Sequence, residues 1–148
     1  MQKQCFDGHS DACKRARHLI GTFSNSTQLS DILKKVQLQN LVAVPLKFIQ
    51  DVCTRWWSTY QMIQRFLSLL TYLDIIVVRG SLNQSEMLTA GEINELRQLE
   101  SILQPFMAAQ RALEGQKYVS NSLVAYIIHT IRSRLGNILN VTEDDAFF

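Results

Sequence analysis

Apolar positions recur along this chain at three- and four-residue intervals, and nowhere do they alternate convincingly as a half-buried strand would require. Ser10 to Phe23 reads as a short basic helix with Lys14, Arg15 and Arg17 on its exposed sides. The run Ser24-Asn25-Ser26-Thr27 supplies cap-forming side chains, and a second helix follows from about Thr27 to Asn40 with Leu29, Ile32, Leu33 and Val36 on one face. Residues 41–53 break the pattern. Pro45 fixes its own φ and removes a donor, so this stretch is a connector in which Leu46-Lys47-Phe48-Ile49 is extended. Asp51 or Thr54 then caps a long helix over about 54–79, apolar around most of its circumference, as expected of a bundle interior.

Residues 80–89 form a loop. Thr89-Ala90-Gly91-Glu92 has the spacing of a capping box, in which a hydroxyl and a carboxylate three residues apart satisfy each other's free backbone N–H groups. The helix it opens stacks Ile93, Leu96, Leu99, Leu103 and Phe106, with Pro105 predicting a kink or break near Gln104 and Gly115 its end. A last helix from about Ser120 to Leu139 places Leu123, Ile127, Ile131, Leu135 and Ile138 on one face, so 90–139 is a kinked helix plus a C-terminal helix, and 140–148 is a tail. No internal repeat is visible. The predicted class is all-α: one helical region over 1–148, an irregular bundle whose first helix pair occupies about 10–40.

At 148 residues the chain has room for one ordinary domain, and with 47% apolar residues, six glycines and two prolines it is globular in composition. Residues 1–80 carry a net charge of +5 and residues 81–148 carry −3, which makes the front half the place to look for a phosphate or acidic partner. Three cysteines suit reduced thiols better than a disulfide framework. The opening MQKQCFDGHSDACKR lacks the apolar stretch of a secretory signal, so the expectation is a nuclear or cytoplasmic protein, not a secreted one. The greasiest run, Phe66 to Val78, is shorter than the ~20 residues of a membrane span and contains Asp74, so no membrane partner is expected.

Candidate chemistry is sparse. Cys5, His9, Cys13 and His18 are weak metal-ligand candidates whose spacing matches no common zinc site. Glu92, Glu95 and Glu100 read as a solvated helix face, and His129 as a core or boundary residue of an apolar helix. There is no glycine-rich phosphate loop and no arrangement of a nucleophile with its base, so no catalytic residue and no cofactor are predicted. One stretch remains, Asp51-Val52-Cys53-Thr54-Arg55-Trp56-Trp57-Ser58-Thr59-Tyr60. Arginine beside tryptophan at a helix start suits a phosphate and an unpaired base, the guanidinium pairing with one and the indole stacking on the other. Taken by themselves, the same residues suit a structural role better, the indoles anchoring the bundle while Arg55 lies along its surface.

The segment Gln50-Asp51-Val52-x-Thr54-Arg55-Trp56-x-Ser58-Thr59-Tyr60-x-Met62-x-x-Arg65 resembles the hAT transposase superfamily and the BED-type zinc-finger proteins derived from it. Flanking segments resemble the family in the same order: Arg17-His18-Leu19-Ile20-Gly21-x-Phe23-x-x-Ser26 upstream, Gln37 before the connector, then Leu103-Gln104-Pro105-Phe106 and Leu113 to Ser120 downstream. The resemblance implies the helical insertion of an RNase H-like transposase with the core strands, the metal-binding carboxylates, the zinc finger and the dimerisation region lying elsewhere. It therefore implies a non-catalytic fragment or remnant. It also implies a role for Arg55 and Trp56 at a DNA end or hairpin, with Thr54, Trp57 and Arg65 as secondary candidates; Trp57 stands where the family usually has Asn. The competing expectation is a domesticated helical module that binds protein through exposed apolar helix faces and has no DNA partner.

Overall fold

The computed structural model describes residues 10–52, 55–114 and 121–144. Among the described residues the fold has five α-helices and one short 3-10 turn, and no strand. The chain divides into two compact units, Met1–Gln98 and Leu99–Phe148.

In the first unit, α1 (Asp11–Asn25) starts at Ser10, whose hydroxyl accepts the Cys13 N–H, and α2 (Thr27–Gln39) starts at Ser26, whose hydroxyl accepts the Leu29 N–H. A serine cap of this kind satisfies one of the amides a helix start leaves without a partner. The exit of α2 is less ordinary. Leu41 adopts a positive φ of 59°, its N–H reaching the Leu38 carbonyl while the Val42 N–H reaches that of Gln37. That pattern normally carries glycine, because a side chain there costs roughly 1–2 kcal/mol. α3 (Trp56–Val78) closes with the same motif, and there the positive φ of 72° does fall on a glycine, Gly80.

α1, α2 and α3 pack on one another. The core between them is built from Ala16, Leu19, Ile20 and Phe23 of α1, Leu33 and Val36 of α2, and Met62, Ile63, Phe66, Leu69, Leu73 and Ile76 of α3. Each large side chain here contributes roughly 1.5–3 kcal/mol by leaving water. By length and composition α3 is apolar enough to cross a membrane; its buried stripe is the spine of this three-helix core.

The 79–89 loop contains the 3-10 turn Gln84–Glu86 and buries Leu82, Met87 and Leu88. α4 (Ala90–Glu114) opens with the capping box read from the sequence: Glu92 Oε2 accepts the Thr89 N–H at 2.7 Å, and the Thr89 hydroxyl oxygen accepts the Glu92 N–H at 3.3 Å. Glu92 is not a solvated residue, however. Both its oxygens accept from Arg15 Nη1, and Arg15 Nη2 also donates to the Ser85 and Met87 carbonyls, so one α1 arginine fastens the loop and the start of α4. Glu95 is engaged as well, accepting the Ser10 hydroxyl at 2.7 Å.

The second unit takes in the rest of α4 and α5 (Asn121–Asp144). Of the kink or break expected near Gln104, the break does not occur: α4 runs on through Pro105, since losing a single backbone donor does not end a helix whose neighbouring rungs remain. Leu103 and Met107 are buried, whereas Phe106 is 36% exposed, so the buried stripe steps from 103 to 107 and not to 106. On α5, Ile127 and Ile131 are half-buried and line a 130 Å³ groove with Ala108 and Ala112 of α4. His129 is exposed, not the core or boundary residue the sequence suggested. Val124, Tyr126 and Ile128 are exposed too. Gly115 and residues 116–120 lie outside the described residues.

Candidate functional site

The described residues of the 51–65 segment sit where the connector turns into α3, and they divide into two groups. The first group holds the fold. Asp51, with 1% of its side chain exposed, accepts from Arg17 Nε at 2.9 Å and from Arg17 Nη2 at 2.6 Å, and its Oδ2 also accepts the Thr59 hydroxyl at 2.9 Å. Burial by itself raises the Asp51 pKa; the Arg17 and Thr59 hydrogen bonds and the Arg17 charge outweigh it and hold the carboxyl below its ordinary value. The expectation that Asp51 caps α3 is thereby corrected: the carboxylate is spent on α1 and on Thr59, and Thr54 lies outside the described residues. Arg17, expected on an exposed side of α1, keeps only 17% of its side chain exposed.

Ser58 does the local fastening that a cap would have done. Its hydroxyl accepts the Val52 N–H at 2.9 Å and lies 2.7 Å from the Arg55 carbonyl oxygen, tying Val52 to the first turn of α3. Tyr60 and Met62 are buried. Arg65 donates through Nη1 to the Lys47 carbonyl at 3.1 Å, so the connector runs back along the first turns of α3. Gln37, fully buried on α2, holds the other side: its Oε1 accepts the Leu46 N–H at 2.7 Å and its Nε2 donates to the Leu46 carbonyl at 2.8 Å. A side-chain amide here replaces the neighbouring strand that an extended segment would otherwise pair with. Phe48 completes the attachment, its ring 5.1 Å from that of Phe23 and 6.0 Å from that of Phe66.

The second group faces outward. Arg55 occupies the N-cap position of α3, is exposed, and makes no side-chain cap hydrogen bond. Its guanidinium lies over the Trp57 ring, 5.5 Å from the centroid. Trp57, the departure from the family pattern, thus gives Arg55 a platform worth about 0.5–1 kcal/mol at an exposed site. Trp56 and Trp57 are both half-buried, and Trp57 is the one that lies against the cation. The arrangement offers a positive charge, an accessible aromatic surface and the amides of a helix start within one turn.

The cysteine–histidine group is not assembled by the described residues. Cys13 is fully buried in the α1 core face and His18 is exposed, about 140° away around the helix at 100° per residue. Cys5 and His9 lie outside the described residues, and among those described no three His, Cys, Asp or Glu side chains gather as metal ligands would.

Reasoning from sequence missed Arg17, Gln37 and Lys47 as parts of this site. For Arg17 and Gln37 the signal was present in the flanking resemblance, which contains both positions. A model of the ZBED1 RNase-like helical domain family matches residues 3–102, which takes in α1, α2, the connector, α3 and the first half of α4. No curated protein and no solved structure matches the chain.

Proposed function

Because the chain belongs to the ZBED1 RNase-like helical domain family, we propose that it serves as the non-catalytic helical insertion of a hAT-type, transposase-derived protein and presents Arg55 and Trp56 to a DNA end. This type of domain is helical and is not itself a catalytic domain. The reading is carried by the division of labour at the start of α3: Asp51, Ser58 and Thr59 are consumed by internal bonds, while Arg55 stands exposed on the helix N-terminus with a tryptophan beneath it. Arg15 and Arg17, by contrast, are neutralised inside the fold by Glu92 and Asp51. A nuclear place of action belongs to the same proposal.

Stacking on an unpaired base contributes about 1–3 kcal/mol per base. Trp56→Ala is therefore expected to weaken binding to a hairpin-tipped or single-stranded DNA end by roughly five- to a hundredfold, and to weaken plain duplex binding much less. Fluorescence titration of both substrates checks this; equal losses on the two would count against stacking.

A further inference from the structure

The basic residues of the first unit differ in what they are already bound to. On α1, Lys14 pairs with Asp11, Arg15 with Glu92 and Arg17 with Asp51. Among the described residues no carboxylate pairs with Lys34, Lys47, Arg55 or Arg65. These four are not scattered. Arg65 is seated on the Lys47 carbonyl, and Lys47 and Lys34 line one groove of 550 Å³ between α2 and the connector, floored by Phe23, Leu33 and Phe48. Asp31 is the single carboxylate along that groove. Arg55 and Arg65 lie ten positions apart on or beside α3, about 15 Å at 1.5 Å per residue. That span covers about four phosphates of a B-form strand at 3.4 Å each, and fewer of an extended one.

We propose that a DNA strand held at Arg55 and Trp56 continues along the seam between the connector and α3, its phosphates meeting Arg65 and Lys47 in turn and Lys34 beyond them. The inference rests on the DNA-end reading above and adds a direction and a footprint to it. It follows from charge availability: the cations of α1 are neutralised within the fold, and those along the seam are left to an external polyanion. An exposed lysine is held loosely enough to follow a backbone, and each phosphate it neutralises releases a counterion.

The test is the salt dependence of binding to a hairpin end carrying a single-stranded overhang. The Lys34→Ala/Lys47→Ala double variant substitutes two exposed side chains, and its thermal midpoint should match wild type. Its plot of log affinity against log salt should be shallower by about 1.4, at about 0.7 for each single-strand phosphate that is no longer neutralised. Lys14→Ala, which removes a cation already paired on α1, should leave the slope unchanged. An unchanged slope in the double variant, in a wild type that binds the end, overturns the strand path and leaves the end contact standing. An equal fall in Lys14→Ala also overturns it, since the charge would then act diffusely. Capture of a labelled Glu-rich peptide that the double variant abolishes, with the DNA slope unmoved, assigns the seam to an acidic peptide and overturns it as well. A wild type that binds no end removes the underlying reading and this inference together.

Discussion

Asp51→Ala is expected to lower the unfolding free energy by about 3–5 kcal/mol, because it strands the largely buried Arg17 guanidinium without its counter-charge. The loss should be read by urea denaturation at neutral pH. It should also depend on pH in a defined direction. The folded Asp51 carboxyl lies below its ordinary value, so its contribution is fully present above the unfolded-chain pKa of about 3.9 and disappears as pH falls through the folded value. The stability gap between wild type and variant should therefore be constant from neutral pH down to about pH 5 and close below about pH 4. A loss under about 1 kcal/mol, the range of exposed pairs, or a gap that persists undiminished in acid, would mean that the pair does not hold the connector.

Phe66→Ala is expected to be comparably severe. Phe66 is fully buried in α3, and its ring lies 6.0 Å from Phe48, which in turn lies 5.1 Å from Phe23. Removing a buried phenyl group costs about 3–5 kcal/mol through lost transfer energy and the cavity left behind. Here the cavity would open directly beneath the connector, so the loss should extend to the attachment of Lys47 and Asp51. Denaturation should show the stability loss, and amide exchange should show faster opening at Leu46, whose N–H is held by Gln37. A variant that loses stability without changing protection at Leu46 would place the connector's attachment in Gln37 and Arg17 alone.

These two residues also mark how far the sequence could be read. The helices were legible because their signals are local. Ser10, Ser26 and the Thr89/Glu92 pair each announce a helix start within three residues, and α1 and α2 begin as those caps require. In α3, apolar around most of its circumference, spacing alone could not single out the buried stripe, which packing sets as Tyr60, Met62, Ile63, Phe66, Leu69, Leu73 and Ile76. In α4 the period alone could not choose between Phe106 and Met107, one three and the other four positions beyond Leu103; both are helical steps, and packing selects the second. The site was legible as a segment and not as a mechanism. The partner of Asp51 is 34 residues upstream and that of Leu46 is a side-chain amide, and neither relation has a period. Most of the recurring pattern around Arg55 and Trp56 therefore records how the turn is fastened. What remains for contact is the smaller set that the fold leaves outward.

That separation is the central claim, and Arg55→Ala tests it most directly when thermal midpoint and affinity for a hairpin-tipped DNA end are measured on the same preparation. The expected result is a midpoint lowered by no more than about 4 °C, since Arg55 is exposed, makes no side-chain cap bond and gives up only its contact with Trp57, together with a clear loss of affinity for the end. A midpoint lowered further than that, with affinity unmoved, would contradict the claim, and would place Arg55 with Asp51 among the residues that hold the fold.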